Sequence, residues 1–365
     1  MVRVSTSNHR AANPIGNRRD ATIDSRVIHD VCGLKKTFNG ALVVMQLIAV
    51  CALISFTGCE GPEGPMGPAG TAGVSGTGDC GTCHDVSTSI LAKQIQWEES
   101  LHATGDAYHR GSSASCAPCH SSEGFTMKVA GMEVTGSDDP TPVNCRTCHN
   151  IHTNYDITDY ALATTAPVEL TGSMPSTMTV DIGKGNLCAN CHQTRDRSSY
   201  GLEVGGADVN ITSSHYGPHH GVQTNCLVGE SAFELPGTLA YTNSAHATAV
   251  SDGCVTCHLS SHSFEASEDA CETCHADIDG FDYRGVQTEI KGLVVELAAL
   301  LYADGLIEHA EPDEDGAYHN LKKTTTSAKA GALYNFIWVA NEDGSNGIHN
   351  TKYTRAMLQN SIEAF

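Results

Sequence analysis

Six times in this chain two cysteines stand three positions apart with a histidine directly after the second. The six units are Cys80-Cys83-His84, Cys116-Cys119-His120, Cys145-Cys148-His149, Cys188-Cys191-His192, Cys254-Cys257-His258 and Cys271-Cys274-His275. Two thiols at that spacing can add to the two vinyl groups of one haem, and the adjoining histidine then reaches the iron as an axial ligand. The competing chemistry is zinc, because Cys-x-x-Cys pairs also build ribbons with two pairs to a metal, or a set of disulfides. Neither requires histidine after the second cysteine. With 19 histidines in 365 residues, six in six by chance is on the order of 10⁻⁸. The spacing therefore predicts six covalently attached haem c groups on these twelve cysteines, and only Cys32, Cys51, Cys59 and Cys226 are left over.

An iron that takes one axial histidine from its own motif needs a second ligand from elsewhere if it is to be six-coordinate. The candidates are His102, 14 residues before Cys116, with His109 as second choice; His152 in CRTCHNIH; one of His215, His219 and His220 around a Gly-Pro turn, with His219 preferred; His246, eight residues before Cys254; His262; and His349 in DGSNGIHN. They number six for six irons. His152 follows His149 by three residues and His262 follows His258 by four. On a continuing helix such neighbours share a face, whereas two ligands of one iron must come from opposite sides of the porphyrin. Each is therefore expected to serve an iron other than that of the preceding motif. Met127 and Met132 lie in an alternating, strand-like stretch and read as packing residues. Cys226 reads as a buried or free thiol, and His309 and His319 carry no assignment.

The elements that must position these groups are sparse in core material. The sequence has 40% hydrophobic and 6% aromatic residues with 36 glycines. From Cys80 onward each predicted haem has roughly 48 residues around it, far too few for six separate domains. The haems are expected to share walls, and the fold class is mainly α with much irregular structure, stacked haems forming the core. Residues 79–280 form the haem-binding region and residues 281–365 a C-terminal helical segment packed on it. There, apolar residues at helical spacing predict helices over 289–306, 328–340 and 352–364. The formal charge of −21 speaks against nucleic acid as a partner, since a polyanion would be repelled.

Residues 1–59 read as an export region. Lys35 and Lys36 precede an apolar run from Ala41 to Phe56, and Thr57, Gly58 and Cys59 follow. A basic flank, about 16 apolar residues and a small-residue exit make a secretory signal, short for a spanning helix. The length of chain before Lys35 suggests a start downstream of Met1. Gly58 and Cys59 match the end of a lipoprotein signal, with Phe56 a departure from its usual aliphatic residue, and this predicts lipid anchoring through Cys59 at the outer membrane or release outside the cell. Residues 60–78 carry glycine at every third position from Gly61 to Gly76. So few triplets predict a flexible tether in preference to a trimeric collagen stalk.

NLCANCHQTR (186–195), SHYGPHHGVQ (214–223), CVTCH followed by HSF (262–264), and YNFIWVANEDGSNGIHNTKYTRAMLQNS (334–361) resemble segments of bacterial multihaem c-type cytochromes. The nearest likeness is to the secreted and outer-surface cytochromes of metal-reducing bacteria, some of which polymerise into filaments. The C-terminal segment is also similar to that of the ammonia-forming nitrite reductase. The resemblance spans 80–365. It implies bis-histidine haems stacked in a row, with the HSF and GIHN histidines, His262 and His349, as second ligands. It also implies redox proteins or extracellular electron acceptors as partners, with self-association into filaments as a further expectation. One departure bears on activity. The nitrite reductase holds its reactive haem through lysine and keeps an open position, whereas every unit here ends in histidine. Two histidines leave an iron no place for substrate, which predicts electron exchange and not catalysis. The alternatives are a reductase of small oxyanions with one open haem, or a subunit of a haem filament.

Overall fold

The computed structural model describes His84 and residues 88–172 and 178–365. The export region, Cys59, the glycine-rich stretch, Cys80 and Cys83 lie outside the described residues.

The chain is mainly helical with long irregular connections. Five longer helices are α1 (Thr88–Glu98), α2 (Ser122–Val129), α3 (Val286–Ala303), α4 (Ser327–Ile337) and α5 (Thr351–Ile362). Between them the motif cysteines sit on or beside one-turn helices such as Ala117–His120, Cys145–Cys148, Asn186–Ala189 and Cys254–His258. Strands are short. Val168–Leu170 pairs antiparallel with Met178–Val180, and Val209–Asn210 with Thr324–Thr325.

The apolar core is concentrated in the C-terminal third. Leu297 and Leu301 of α3, Leu333, Tyr334 and Phe336 of α4, and Met357 and Leu358 of α5 bury together with Trp338 and with Phe233 from the preceding segment. Asn335, fully buried, ties that segment down, accepting from Phe233 N at 2.9 Å and donating to Phe233 O at 2.8 Å. A second, small cluster joins Val168, Leu170, Val180 and Ile182 to Ala189 and Leu227. The motif-bearing stretches contrast with this. Among the described residues of 84–167 the buried hydrophobic side chains are Ala117 and Phe125, and in residues 236–289 there are none. Segments of that length held together by so little apolar burial need another source of it.

Three expectations are corrected. The stretch around Met127 is the helix α2, capped by Ser121, whose hydroxyl accepts from Gly124 N at 3.1 Å. The cap and the burial of Phe125 at helical spacing outweigh its polar–apolar alternation, and Met132, beyond the helix, is exposed. The chain does not continue as a helix after His149, which is extended at φ −125°, nor after His258. His152 lies in the left-handed region at φ 62°. And the helix expected over 328–340 changes at Trp338 into a wider π turn running to Asp343, beside the other C-terminal helices at 286–303 and 351–362.

Candidate cofactor site: six facing histidine pairs

Every motif histidine faces one histidine from outside the motifs. His84 faces His152 with ring centres 6.0 Å apart, His120 faces His219 at 6.1 Å, His149 faces His262 at 6.4 Å, His192 faces His102 at 6.1 Å, His258 faces His349 at 6.2 Å and His275 faces His246 at 6.1 Å. This spacing has a physical meaning. Imidazole nitrogen binds a transition metal at about 2.0–2.1 Å, so two rings on opposite sides of one ion, each centre about 1.1 Å behind its nitrogen, stand about 6.2 Å apart. A stacking contact would be closer. No pair joins two motif histidines, and no ring is used twice.

The other described histidines fall outside this pattern, and all five are exposed: His109, His215, His220, His309 and His319. His220 is bound to Glu342 at 2.6 Å and His319 to Asp313 at 2.7 Å. In the His215, His219 and His220 cluster it is thus His219 that turns inward, at φ 66°, toward His120.

Hydrogen bonds aim several of these rings. Nδ1 of His149 donates to Tyr160 O at 2.7 Å, that of His246 to Ile348 O at 2.7 Å, that of His258 to Phe264 O at 2.9 Å and that of His192 to Gln223 Oε1 at 3.1 Å. His349 Nδ1 donates to the buried Asp343 carboxylate at 2.8 Å. With the proton fixed on Nδ1, the Nε2 lone pair is free for a metal. Burial also keeps rings neutral, the ligating form. Desolvation, with His192 nearby, pushes His102 down to about 4, and desolvation with Arg195 alongside pushes His219 down to about 4. Desolvation lowers His120, His192 and His262 as well.

The C-terminal segment sets two of the pairs at once. Asn350, buried at the start of α5, donates to Leu227 O at 3.1 Å and accepts from Ser244 N at 2.9 Å. It thereby holds the His246 loop against Ile348 and His349. Phe264 is a second such junction. Its carbonyl anchors His258, its ring meets His102 edge-on at 4.9 Å and lies 6.0 Å from His262, and its backbone sits at φ 62°, an outlier for a bulky residue.

The motifs also touch one another. Cys119 Sγ lies 3.7 Å from Asn190 O and Cys191 Sγ 3.8 Å from Pro118 O, so the second and fourth units interlock. The Cys188 and Cys254 thiols lie close enough to influence each other, bringing the fourth and fifth units together. A continuous cavity of 1410 Å³ runs past the cysteines of the second, third and fourth units and reaches Cys254 and His258. That exceeds the about 300–1,000 Å³ of a single small-molecule pocket.

The described motif cysteines are unbridged. Among the described residues, the one group of three metal-ligating side chains close enough to share an ion is Cys226, Asp343 and His349. Among the described residues no four cysteines gather around a point, as a zinc ribbon would require. Cys226 is fully buried and contacts Thr354 Oγ1 at 3.6 Å.

No protein-family model, curated protein or solved structure matches this chain. Asp343, Gln223 and Phe264 are supporting residues that the motif pattern did not mark. A spacing rule for them does not exist, because each meets its histidine through the fold.

Proposed function

We propose that this chain is an electron-transfer protein carrying six covalent haem c groups, each held by one motif and by the histidine pair facing across it. The observation that carries the reading is the pairing itself, six motif histidines against six others at 6.0–6.4 Å. The paucity of buried apolar side chains in residues 84–167 and 236–289 supports it, since six porphyrins would supply the missing core. When bound, haem c supplies one-electron exchange at iron.

The protein's own residues do the rest. Twelve cysteines would hold the groups covalently and twelve imidazoles would ligate the irons, two to each, an arrangement that would favour low potentials and leave no position for substrate. Reductase activity would need an unpaired motif histidine, and every one has a partner. Contacts order the sites. His149 and His152 link the third and first, the thiol contacts link the second to the fourth and the fourth to the fifth, and Cys257 O accepts from Ser267 N at 3.1 Å just ahead of the sixth. His262, four residues after His258, faces His149 and joins the third to the fifth, so the six sites are connected, the second through the fourth.

Export and anchoring through Cys59 complete the proposal and place the partners among envelope redox proteins or extracellular acceptors. Cys59→Ala should release the protein from the membrane fraction. For the central reading, mass spectrometry of the mature chain should show six haem additions, and fewer would overturn it.

A further inference from the structure

We infer that Asp343 sets the His258–His349 site apart from the other five as the one of lowest potential, by holding a buried negative charge against the Nδ1 of His349. The inference rests on the haem reading above. Asp343 is fully shielded from solvent and accepts from His349 Nδ1 at 2.8 Å, and the Ser345 hydroxyl and backbone N–H donate to its second oxygen. Among the described residues it is the only charged group hydrogen-bonded to any of the twelve paired rings. The other assigned partners are neutral: backbone carbonyls for His149, His246 and His258, and an amide for His192. Among the described residues, Nδ1 of His102 and of His262 has no hydrogen-bond partner.

The difference is one of electronics as well as placement. A carboxylate taking the Nδ1 proton shifts the ring toward imidazolate and makes Nε2 a stronger donor. That favours the oxidised metal, and the low dielectric around a buried charge enlarges the effect. Ser345 works against it, since each donor to the carboxylate draws charge away from His349. The fold pays attention to this place. The π turn from Trp338 to Asp343 ends there, and the Ser345 hydroxyl also accepts from His349 N at 3.3 Å. An electron entering this site would sit above its neighbours in energy, making it a step within the row, with the His192 site on one side and the Cys271 site on the other.

Two variants with opposite expected signs test the inference. In redox titration of the six-haem protein, Asp343→Asn keeps an acceptor for Nδ1 but removes the charge. One of the six components should move to higher potential by about tenfold in its reduction equilibrium, 59 mV for one electron, and one low-spin EPR signal should shift with it. Ser345→Ala should move the same component lower. A purely structural role would give shifts of the same sign, or none. If Asp343→Asn loses the ligand and turns high-spin, the Ser345→Ala titration alone decides: a lowered component supports the inference, and an unchanged or raised one overturns it. Six attached haems with all potentials unmoved in both variants would overturn it while leaving the haem reading intact. A protein that carries no haem would remove both.

Discussion

His262 presents its ring to His149, the two planes within 19° of parallel and their centres 6.4 Å apart, although it follows His258 by only four residues. The chain leaves the motif helix at Leu259, turns through Ser261 and Ser263, and is held at Gln96, whose Oε1 accepts from His262 N at 3.1 Å. His262→Ala should leave all six haems attached, because thioether formation uses only the motif. It should open one position, seen as a high-spin signal and carbon monoxide binding equal to one haem per chain. A variant that stays fully low-spin would detach His262 from the account.

Withholding the cofactor should divide the molecule. The core of α3, α4 and α5 is built from the chain's own side chains, whereas among the described residues of 84–167 the buried hydrophobic side chains are Ala117 and Phe125 alone. Protein made without haem attachment should therefore keep protected amides in the C-terminal helices while amides of residues 84–167 exchange freely. Equal protection in both regions would show that the porphyrins are not needed as core.

The helix α2 rests directly on the second motif. A Cβ on Gly124 would lie 2.3 Å from Ala117 O, so Gly124→Ala must push the helix off the motif turn. The cost should be about 1–3 kcal/mol, read as a lowered denaturation midpoint. Accompanying disturbance should be largest at the His120–His219 site.

A surface pair gives a pH test. Arg355 reaches across from α5 to Glu289 of α3 with Nε–Oε1 at 2.5 Å and a second bond at 2.6 Å, and the hydrogen bond from Arg355 holds Glu289 below its usual value. A carboxylate with a depressed pKa contributes stability above its unfolded value, near 4.5, and loses it as pH falls through the folded value. Both side chains are partly exposed, so Glu289→Gln should cost about 0.2–1 kcal/mol near pH 7. The difference from wild type should close below about pH 4.5.

Much of the candidate site was legible because it is written locally. Five residues define each motif, and counting the remaining histidines against six irons offered His102, His152, one of the His215, His219 and His220 cluster, His246, His262 and His349 as candidate second ligands, the same histidines whose rings face the motif histidines. Which faces which was not legible, since the pairing of His84 with His152 or His275 with His246 is fixed by the fold and not by spacing. The helical argument separated His152 and His262 from the motif histidines just before them, but by the wrong geometry. Both lie off the helix, in turns that need a left-handed residue at His152 and at Phe264. The C-terminal helices were readable from apolar periodicity. The π turn that delivers Asp343 to His349 was not, because no residue type signals a change of helical pitch.

The central claim is that six irons stand between twelve histidines. A near-infrared magnetic circular dichroism spectrum of the oxidised protein, calibrated to protein by mass, measures haem number and axial ligation together. The account predicts six haems per chain, all low-spin with two histidines, and no high-spin or methionine-ligated fraction. Fewer than six haems, or a band from a five-coordinate or methionine-bound iron, would contradict it.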